Sequence, residues 1–205
     1  MVAVSRNVPM IWGLDVSQRR TGIAYGYAGD TPTVVSIASH EGDDTARSGT
    51  RLFVYLKDLR HVSPPDAIYY ERMLEHGFQA DVAPNGQFIK QRRGILAAFA
   101  MARMTFAVEL FASLASVPVR DVACNTTRKH FLGDGRLDRK SAKRRALAMC
   151  QVLSWPANND DEADACGVFC YGSALSAPHA ATVIHPGLFA KAATLADNLP
   201  RGKAR

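Results

Sequence analysis

The chain has 205 residues, of which 47% are hydrophobic and 21% are charged, a composition typical of a soluble globular protein built as one domain. The charge-free run of residues 94–102 reaches only half of the roughly 18 residues that a membrane span needs. Its N-terminus has no long apolar stretch of the secretory type. We therefore expect neither a membrane protein nor a secreted one.

The charge balance and the cysteines indicate the kind of partner and the cellular compartment. Lys and Arg outnumber Asp and Glu by 25 to 19, which favours a polyanionic partner. The four cysteines show no C-x-x-C spacing, so a structural zinc site is not expected. We interpret them as reduced thiols, with Cys166 and Cys170 on one buried helical face, and we expect a cytoplasmic protein of a bacterial or phage-infected cell.

The N-terminal third predicts three strands at residues 10–15, 21–28 and 33–38, joined by short polar turns into an antiparallel meander. The spacing of the apolar residues then becomes helical: leucines at 52, 56 and 59 predict a helix over residues 47–61. Two prolines end that helix, and residues 67–71 form a fourth strand.

The second half predicts mostly helices. A long apolar helix spans residues 86–115, a fifth strand spans 118–123, and a basic loop follows. Two further helices cover residues 141–153 and about 160–174, and a short helix is expected over 188–199. This order predicts an α/β domain whose mixed sheet of five strands, three antiparallel and then parallel ones, is flanked by helices. We divide the chain into a domain of residues 1–175 and a C-terminal tail of residues 176–205.

Carboxylates follow two of the predicted strands and begin the last helix of the domain. Asp15 and Glu71 end strands, where open α/β sheets bind their ligands. Asp161 and Asp164 lie three apart and therefore share one helix face. Acids are common at helix N-termini, but Asp164 leads straight into an apolar helix, where a carboxylate needs a partner such as a cation.

Convergent carboxylates without matching His or Cys ligands select hard cations, so we expect Mg²⁺, with Mn²⁺ as a substitute. We expect two such ions per active site, because two ions about 3.5–4 Å apart can support phosphodiester hydrolysis. A structural Ca²⁺ site is the alternative, but no D-x-D-x-D-G loop is present.

A basic segment lies between the fifth strand and the acidic helix. Residues 128–145 carry eight Lys or Arg against two Asp, and a smaller cluster opens the long helix. Such a run is often a solvated face, but beside a carboxylate site it fits the backbone of a nucleic acid. The candidate DNA contacts are Lys90, Arg92, Arg93, Arg128, Lys129, Lys140, Lys143 and Arg144.

These motifs together resemble the RuvC family of Holliday junction resolvases, over residues 12–173. The resemblance rests on Gly13-Leu14-Asp15, Arg20-Thr21-Gly22, Tyr70-Glu71, Gly133-x-Gly135, Lys140-Ser141 and Asp161-Glu162-Ala163-Asp164-Ala165. It implies an RNase H-like fold and a homodimer that nicks two opposed strands of a four-way DNA junction with Mg²⁺.

The resemblance also implies roles for single residues. Asp15, Glu71, Asp161 and Asp164 would be the metal-binding catalytic acids. Arg128 and Lys140 would lie near the scissile phosphate, with Lys140 aiding catalysis, and Phe78 would stack on bases at the junction centre. The long helix is apolar around nearly its whole circumference, and either burial within one subunit or a two-fold dimer can cover that surface; the dimer is our hypothesis.

Other functions remain open from the sequence. The chain could be a broader nuclease of the RNase H-like superfamily that cuts branched DNA or RNA–DNA hybrids, or a relative of the pre-ribosomal RNA processing nucleases. An actin-like or sugar-kinase ATPase shares the first-strand motif but needs two domains, for which 205 residues are too few. A junction-binding protein without cleavage is the alternative outside the enzymes.

Overall fold

The computed structural model describes residues 8–72, 91–183 and 186–199. It contains one five-stranded sheet made of β1 (Met10–Asp15), β2 (Arg20–Tyr27), β3 (Thr33–Ala38), β4 (Ala67–Arg72) and β5 (Val119–Ala123). The strand order is β3-β2-β1-β4-β5. β1, β2 and β3 are antiparallel, whereas β4 pairs parallel to β1 and β5 pairs parallel to β4. The predicted mixed sheet is confirmed.

Helices cover both faces of this sheet. Those in the described part of the chain are α1 (Thr45–Val62), α2 (Gln91–Ala115), α3 (Cys124–Leu132), α4 (Arg139–Val152), α5 (Asp160–Ser176) and α6 (Pro186–Asn198). Helices α1 and α2 pack on one face, and the other four helices build a second core on the opposite face. The fold is therefore a three-layer α/β sandwich.

Alternation along the central strands assigns each side chain to a face. On β1, Ile11 packs into the core on the α5 side, whereas Trp12 and Leu14 pack towards α1 and α2. Because successive side chains of a strand point to opposite faces, Asp15 emerges on the α5 side. On β4, Tyr69 belongs to the α5 side, so Glu71 does as well.

Helix α2 combines a buried face with an exposed apolar one. Met104, Val108 and Phe111 pack inward, and the Phe111 ring stacks on Trp12 with centroids 5.7 Å apart. Within the described residues, the stretch Ala98–Ala115 alone has the length and apolar composition of a membrane span, and 39% of it is buried inside the protein. Two charged residues, Arg103 and Glu109, interrupt this stretch, so its charge-free runs are short.

Two segments differ from the sequence predictions. The predicted basic loop begins with helix α3, because Cys124, Thr127, Phe131 and Leu132 recur at helical spacing and are all buried. Gly133 ends this helix in the left-handed conformation, with φ of 80°.

The segment predicted as a tail supplies a core helix. Ala192 and Ala196 of α6 are buried among residues of α4, and Phe189 lies against Gly133. The predicted helix over residues 188–199 is therefore confirmed, and it packs on the domain. The boundary at residue 175 stays a prediction.

Candidate active site

The first two acids come from neighbouring parallel strands. Leu14 on β1 is paired with Tyr70 on β4, so Asp15 and Glu71 follow at the same end of the sheet and on the same face. This is the carboxyl end of both strands, where an α/β sheet presents ligand-binding groups. Both residues are partly buried.

Helix α5 brings the other two acids over these strands because glycines let its backbone approach the sheet. A Cβ on Gly13 would lie 2.3 Å from the backbone nitrogen of Phe169, and a Cβ on Gly22 would lie 2.0 Å from the carbonyl oxygen of Asp161. Neither strand position could hold a side chain without moving the helix. Since Gly22 is paired with Asp15 in the β1–β2 ladder, the first turn of α5 lies directly beside Asp15.

The start of α5 is fixed by a buried carboxylate that the sequence analysis passed over. Glu162 is 6% exposed and accepts hydrogen bonds from the Ser36 hydroxyl at 2.8 Å and from the Asn158 backbone N–H at 2.7 Å. Asn159 caps the helix by accepting from the Glu162 N–H at 3.0 Å. Helix α5 is thereby tied to the edge strand β3, which orients Asp161 and Asp164.

The acids interact electrostatically across this arrangement. Burial raises the pKa of Asp15 well above its usual value, and the charges of Asp164, Glu71 and Asp161 raise it further, against an opposing effect of Lys143. Four carboxylates therefore converge on one region. Carboxylates that destabilise one another in this way are typical of a functional site that takes up a cation.

Asp164 lies at the centre of the cluster. Its side chain is 14% exposed, and burial together with the Glu71 charge raises its pKa to about 7, although Lys143 and Arg128 oppose the rise. Lys143 Nζ lies 3.2 Å from Asp161 Oδ1 and 4.0 Å from Asp164 Oδ2. Burial lowers the pKa of Lys143, but the surrounding aspartates outweigh burial and leave that pKa raised.

Glu71 and Asp164 line a small cleft together with Arg128 and Thr127 of α3. Cys124, the first residue of α3, lies close enough to the Glu71 carboxylate to interact with it electrostatically. Burial and the Glu71 charge raise the pKa of Cys124 to about 12, so the thiol stays protonated. No pattern in the sequence marked Cys124, because its contact with Glu71 depends on β5 and α3.

The donors present match the hard cations predicted from the sequence. All four acids supply carboxylate oxygens, the ligands that Mg²⁺ and Mn²⁺ prefer, and the mutual repulsion at Asp15 and Asp164 is what a bound cation would relieve. As placed, no three Asp, Glu, His or Cys side chains of residues 8–72, 91–183 and 186–199 are grouped closely enough to hold an ion. The four acids therefore fit a metal by their donor atoms and by their shared end of the sheet, but their side chains as placed do not form a complete set of ligands.

The predicted DNA-contacting residues lie in different places. Lys129 of α3 and Lys140 at the start of α4 are exposed, and Arg128 faces the acids. Arg144 turns away from them and donates to the Ala196 carbonyl of α6. Lys143 is directed at the acids.

The structure does not describe the side chains of the remaining predicted DNA contacts. Phe78 and Lys90 lie outside the described residues. Arg92 and Arg93 lie in the first turn of α2, within its bounds of Gln91–Ala115.

Solved structures with a similar fold are known. The structure of RuvC from Thermus thermophilus aligns with a TM-score of 0.55 and 15% identity, covering 78% of this chain and 90% of that one. The same protein in complex with a Holliday junction substrate aligns with a TM-score of 0.55 and 16% identity, over the same shares of the two chains. The chain has the RuvC fold. The fold that the sequence motifs implied is confirmed.

A more distant match is the yeast mitochondrial Holliday junction resolvase Ydc2, with a TM-score of 0.39 and 11% identity over 92% of this chain and 85% of that one. No protein-family model matches the sequence, and no curated protein does. The likeness to RuvC therefore lies in the fold.

Proposed function

We propose that this chain is a structure-selective DNA endonuclease that resolves four-way junctions by paired nicking. The observation that carries the proposal is the convergence of Asp15, Glu71, Asp161 and Asp164 at the carboxyl end of two parallel strands. The RuvC fold supports it, because one of the solved RuvC structures contains a Holliday junction substrate.

The proposed cofactor is Mg²⁺, for which Mn²⁺ can substitute, held by these four acids. A divalent cation bound there would supply Lewis-acid activation of the attacking water and would stabilise the leaving oxygen. Asp15 and Glu71 project from sheet strands and Asp164 from a buried helix, so the backbone positions of these three acids are held in place before DNA binds. Two such ions per active site are proposed.

The basic residues around the acids would bind the DNA backbone. Arg128 lies in the cleft beside Glu71 and Asp164, where its guanidinium can reach a phosphate and stabilise charge that develops in the transition state. Lys129 and Lys140 are exposed on the same layer and would hold flanking phosphates. Phe78 is proposed to stack on bases at the junction centre, as the resemblance implies.

The proposed assembly is a cytoplasmic homodimer. Phe99, Phe106 and Leu114 of α2 are 62%, 59% and 69% exposed, and together with Leu110 they form an apolar stripe along one side of the helix. Such a stripe is unfavourable in water and suits a contact between two copies. A two-fold dimer presents two active sites to the two opposed strands of a junction.

The experiment is cleavage of a synthetic four-way junction beside linear duplex, a flap and an RNA–DNA hybrid, with Mg²⁺ or with EDTA. We expect paired, symmetric nicks on the junction, none in EDTA, and none from Asp15→Asn, which should still bind the junction. Cutting of every branched form would support the broader nuclease instead. Tight binding without metal-dependent cutting would make the chain a junction-binding protein.

A further inference from the structure

The turn between β1 and β2 carries two adjacent arginines that have no role in the function proposed above. Arg19 and Arg20 lie shortly after Asp15, at the same end of the sheet, and both are exposed. Within the described part of the chain, neither guanidinium group forms an ion pair. Both are therefore available to an anion from outside the protein.

Hydrogen bonds hold this turn in one conformation. The Ser17 hydroxyl donates to the Arg20 carbonyl at 2.7 Å and accepts from the Arg20 N–H at 3.2 Å. The buried Thr21 hydroxyl donates to the Ser17 carbonyl at 3.1 Å and accepts from the Ser17 N–H at 3.3 Å. These bonds use only the backbone of Arg20, so its side chain extends from a fixed position and takes no part in the turn.

The two arginines belong to opposite faces of the sheet. Gly22 lies beneath the Asp161 carbonyl, so Gly22 is on the face that α5 covers. Arg20 is two residues earlier on β2 and therefore on the same face, about 7 Å along the strand. Arg19 continues the pairing, because the Ser39 N–H donates to its carbonyl at 2.9 Å, and alternation assigns it to the opposite face. Of the two arginines, Arg20 shares the face of the acids.

Arg20 and Arg128 flank the acids on opposite sides. Strands β2 and β4 are the two neighbours of β1, which ends in Asp15. Arg20 begins β2, whereas Arg128 lines the cleft beside Glu71 of β4. A DNA strand that crosses this end of the sheet would meet a positive charge on each side of the acids. The two charges offset the repulsion between phosphates and carboxylates.

We propose that Arg20 binds a backbone phosphate of the cleaved strand, next to the phosphate at the acids and on the side away from Arg128. The inference rests on the proposed function, because it takes the acid cluster to be the cleavage site and DNA to be the substrate. A guanidinium group can donate two parallel hydrogen bonds to one phosphate. Held by the rigid turn, this contact fixes which phosphodiester lies over the acids.

Arg19 is the matched control. It has the same charge as Arg20 and is exposed as well, but it lies on the opposite face. Arg19→Gln and Arg20→Gln each remove one positive charge, so an effect of net charge alone would be equal in the two variants. Arg20→Lys keeps the charge and tests whether charge at this position is sufficient for binding.

The experiment measures binding of a synthetic four-way junction over a range of salt concentrations, with all variants made in Asp15→Asn, which should bind the junction without cutting it. We expect Arg20→Gln to reduce the slope of the logarithm of the binding constant against the logarithm of salt concentration by about 0.9, the loss of one phosphate contact. Arg19→Gln and Arg20→Lys should keep the original slope. A slope for Arg20→Gln equal to that of Arg19→Gln would overturn the proposal.

A second measurement identifies the phosphate itself. Single phosphates near the junction centre are replaced, one at a time, by uncharged methylphosphonate linkages. We expect one linkage at which the replacement weakens binding by the protein with Arg20 but not by Arg20→Gln. If every linkage that matters to the protein with Arg20 matters equally to Arg20→Gln, the contact does not exist. A role of Arg20 in folding alone would not produce sensitivity at a single phosphate.

The outcomes separate this inference from the proposed function. A chain that does not bind the junction would contradict both. A reduced slope for Arg20→Gln, together with a wild type that cuts no junction in Mg²⁺, would support the phosphate contact and contradict the nuclease. Paired nicking by the wild type, together with an unchanged slope for Arg20→Gln, would overturn this inference alone.

Discussion

Gly22 lies directly beneath the backbone of Asp161, so that a Cβ on Gly22 would come within 2.0 Å of the Asp161 carbonyl oxygen. Gly22 is also the residue paired with Asp15 across the β1–β2 ladder. The missing side chain therefore sets how closely the first turn of α5 approaches Asp15. The spacing between the acids of the strand and those of the helix depends on this glycine.

Gly22→Ala should therefore damage the site more than the fold. The added methyl group must push the start of α5 from the sheet, at a cost of about 1–3 kcal/mol in the free energy of unfolding. We expect junction cleavage to fall by at least tenfold, measured beside urea denaturation. Gly26→Ala on the same strand is the control, since its Cβ would be 3.4 Å from the nearest atom. Equal activity of the two variants would contradict this account.

Glu162 should prove to be a positioning residue. Glu162→Ala removes the acceptor for the Ser36 hydroxyl and the Asn158 N–H, which should lower the free energy of unfolding by about 1–3 kcal/mol. A double-mutant cycle with Ser36→Ala measures their coupling, which we expect at about 0.5–3 kcal/mol. Additive effects of the two substitutions would show that the bond does not tie α5 to β3.

The raised pKa of Asp164 predicts how stability changes with pH in EDTA. Because its pKa rises from 3.8 to about 7 on folding, the folded state holds a proton that the unfolded state has lost between those values. The free energy of unfolding should thus fall as pH rises from about 4 to 7, by up to about 1.4 kcal/mol per pH unit. Thermal denaturation of Asp164→Asn should show a shallower fall. An identical slope would contradict the assignment.

The exposed stripe of α2 predicts the effect of one charge on assembly. Phe106→Glu places a carboxylate in the centre of the stripe and should convert a dimer into a monomer in sedimentation at micromolar concentration. Val62→Glu is the control, because Val62 is 80% exposed at the end of α1. A wild type that sediments as a monomer would contradict the proposed dimer.

Lys140 should act on DNA binding through its charge alone. Lys140→Gln should reduce the slope of the logarithm of the binding constant against the logarithm of salt concentration by about 0.9, the loss of one phosphate contact. We expect slower cleavage as well. Lys191→Gln, an exposed lysine of α6, is the comparison, and its slope should match that of the wild type. An unchanged slope for Lys140→Gln would remove it from the DNA interface.

Local patterns in the sequence were sufficient to predict the strands of the sheet and the location of the acids at the strand ends. Short apolar runs bounded by polar turns defined the strands, and acids at strand ends placed Asp15 and Glu71 at the same edge, as the structure shows. The helix starting with Asp160 was predicted from its cap and its composition. Helix α3 was missed because its basic residues obscured the helical spacing of its few buried ones.

The sequence by itself determined the five strands, their order along the chain and the acids available to the site. Only the tertiary structure decided that Lys143 pairs with aspartates, that Glu162 is buried and that Cys124 lies beside Glu71. The physical reason is distance along the chain: Ser36 and Glu162 are 126 residues apart, and no local propensity encodes such a contact. These contacts exist only once the sheet and α5 have packed together.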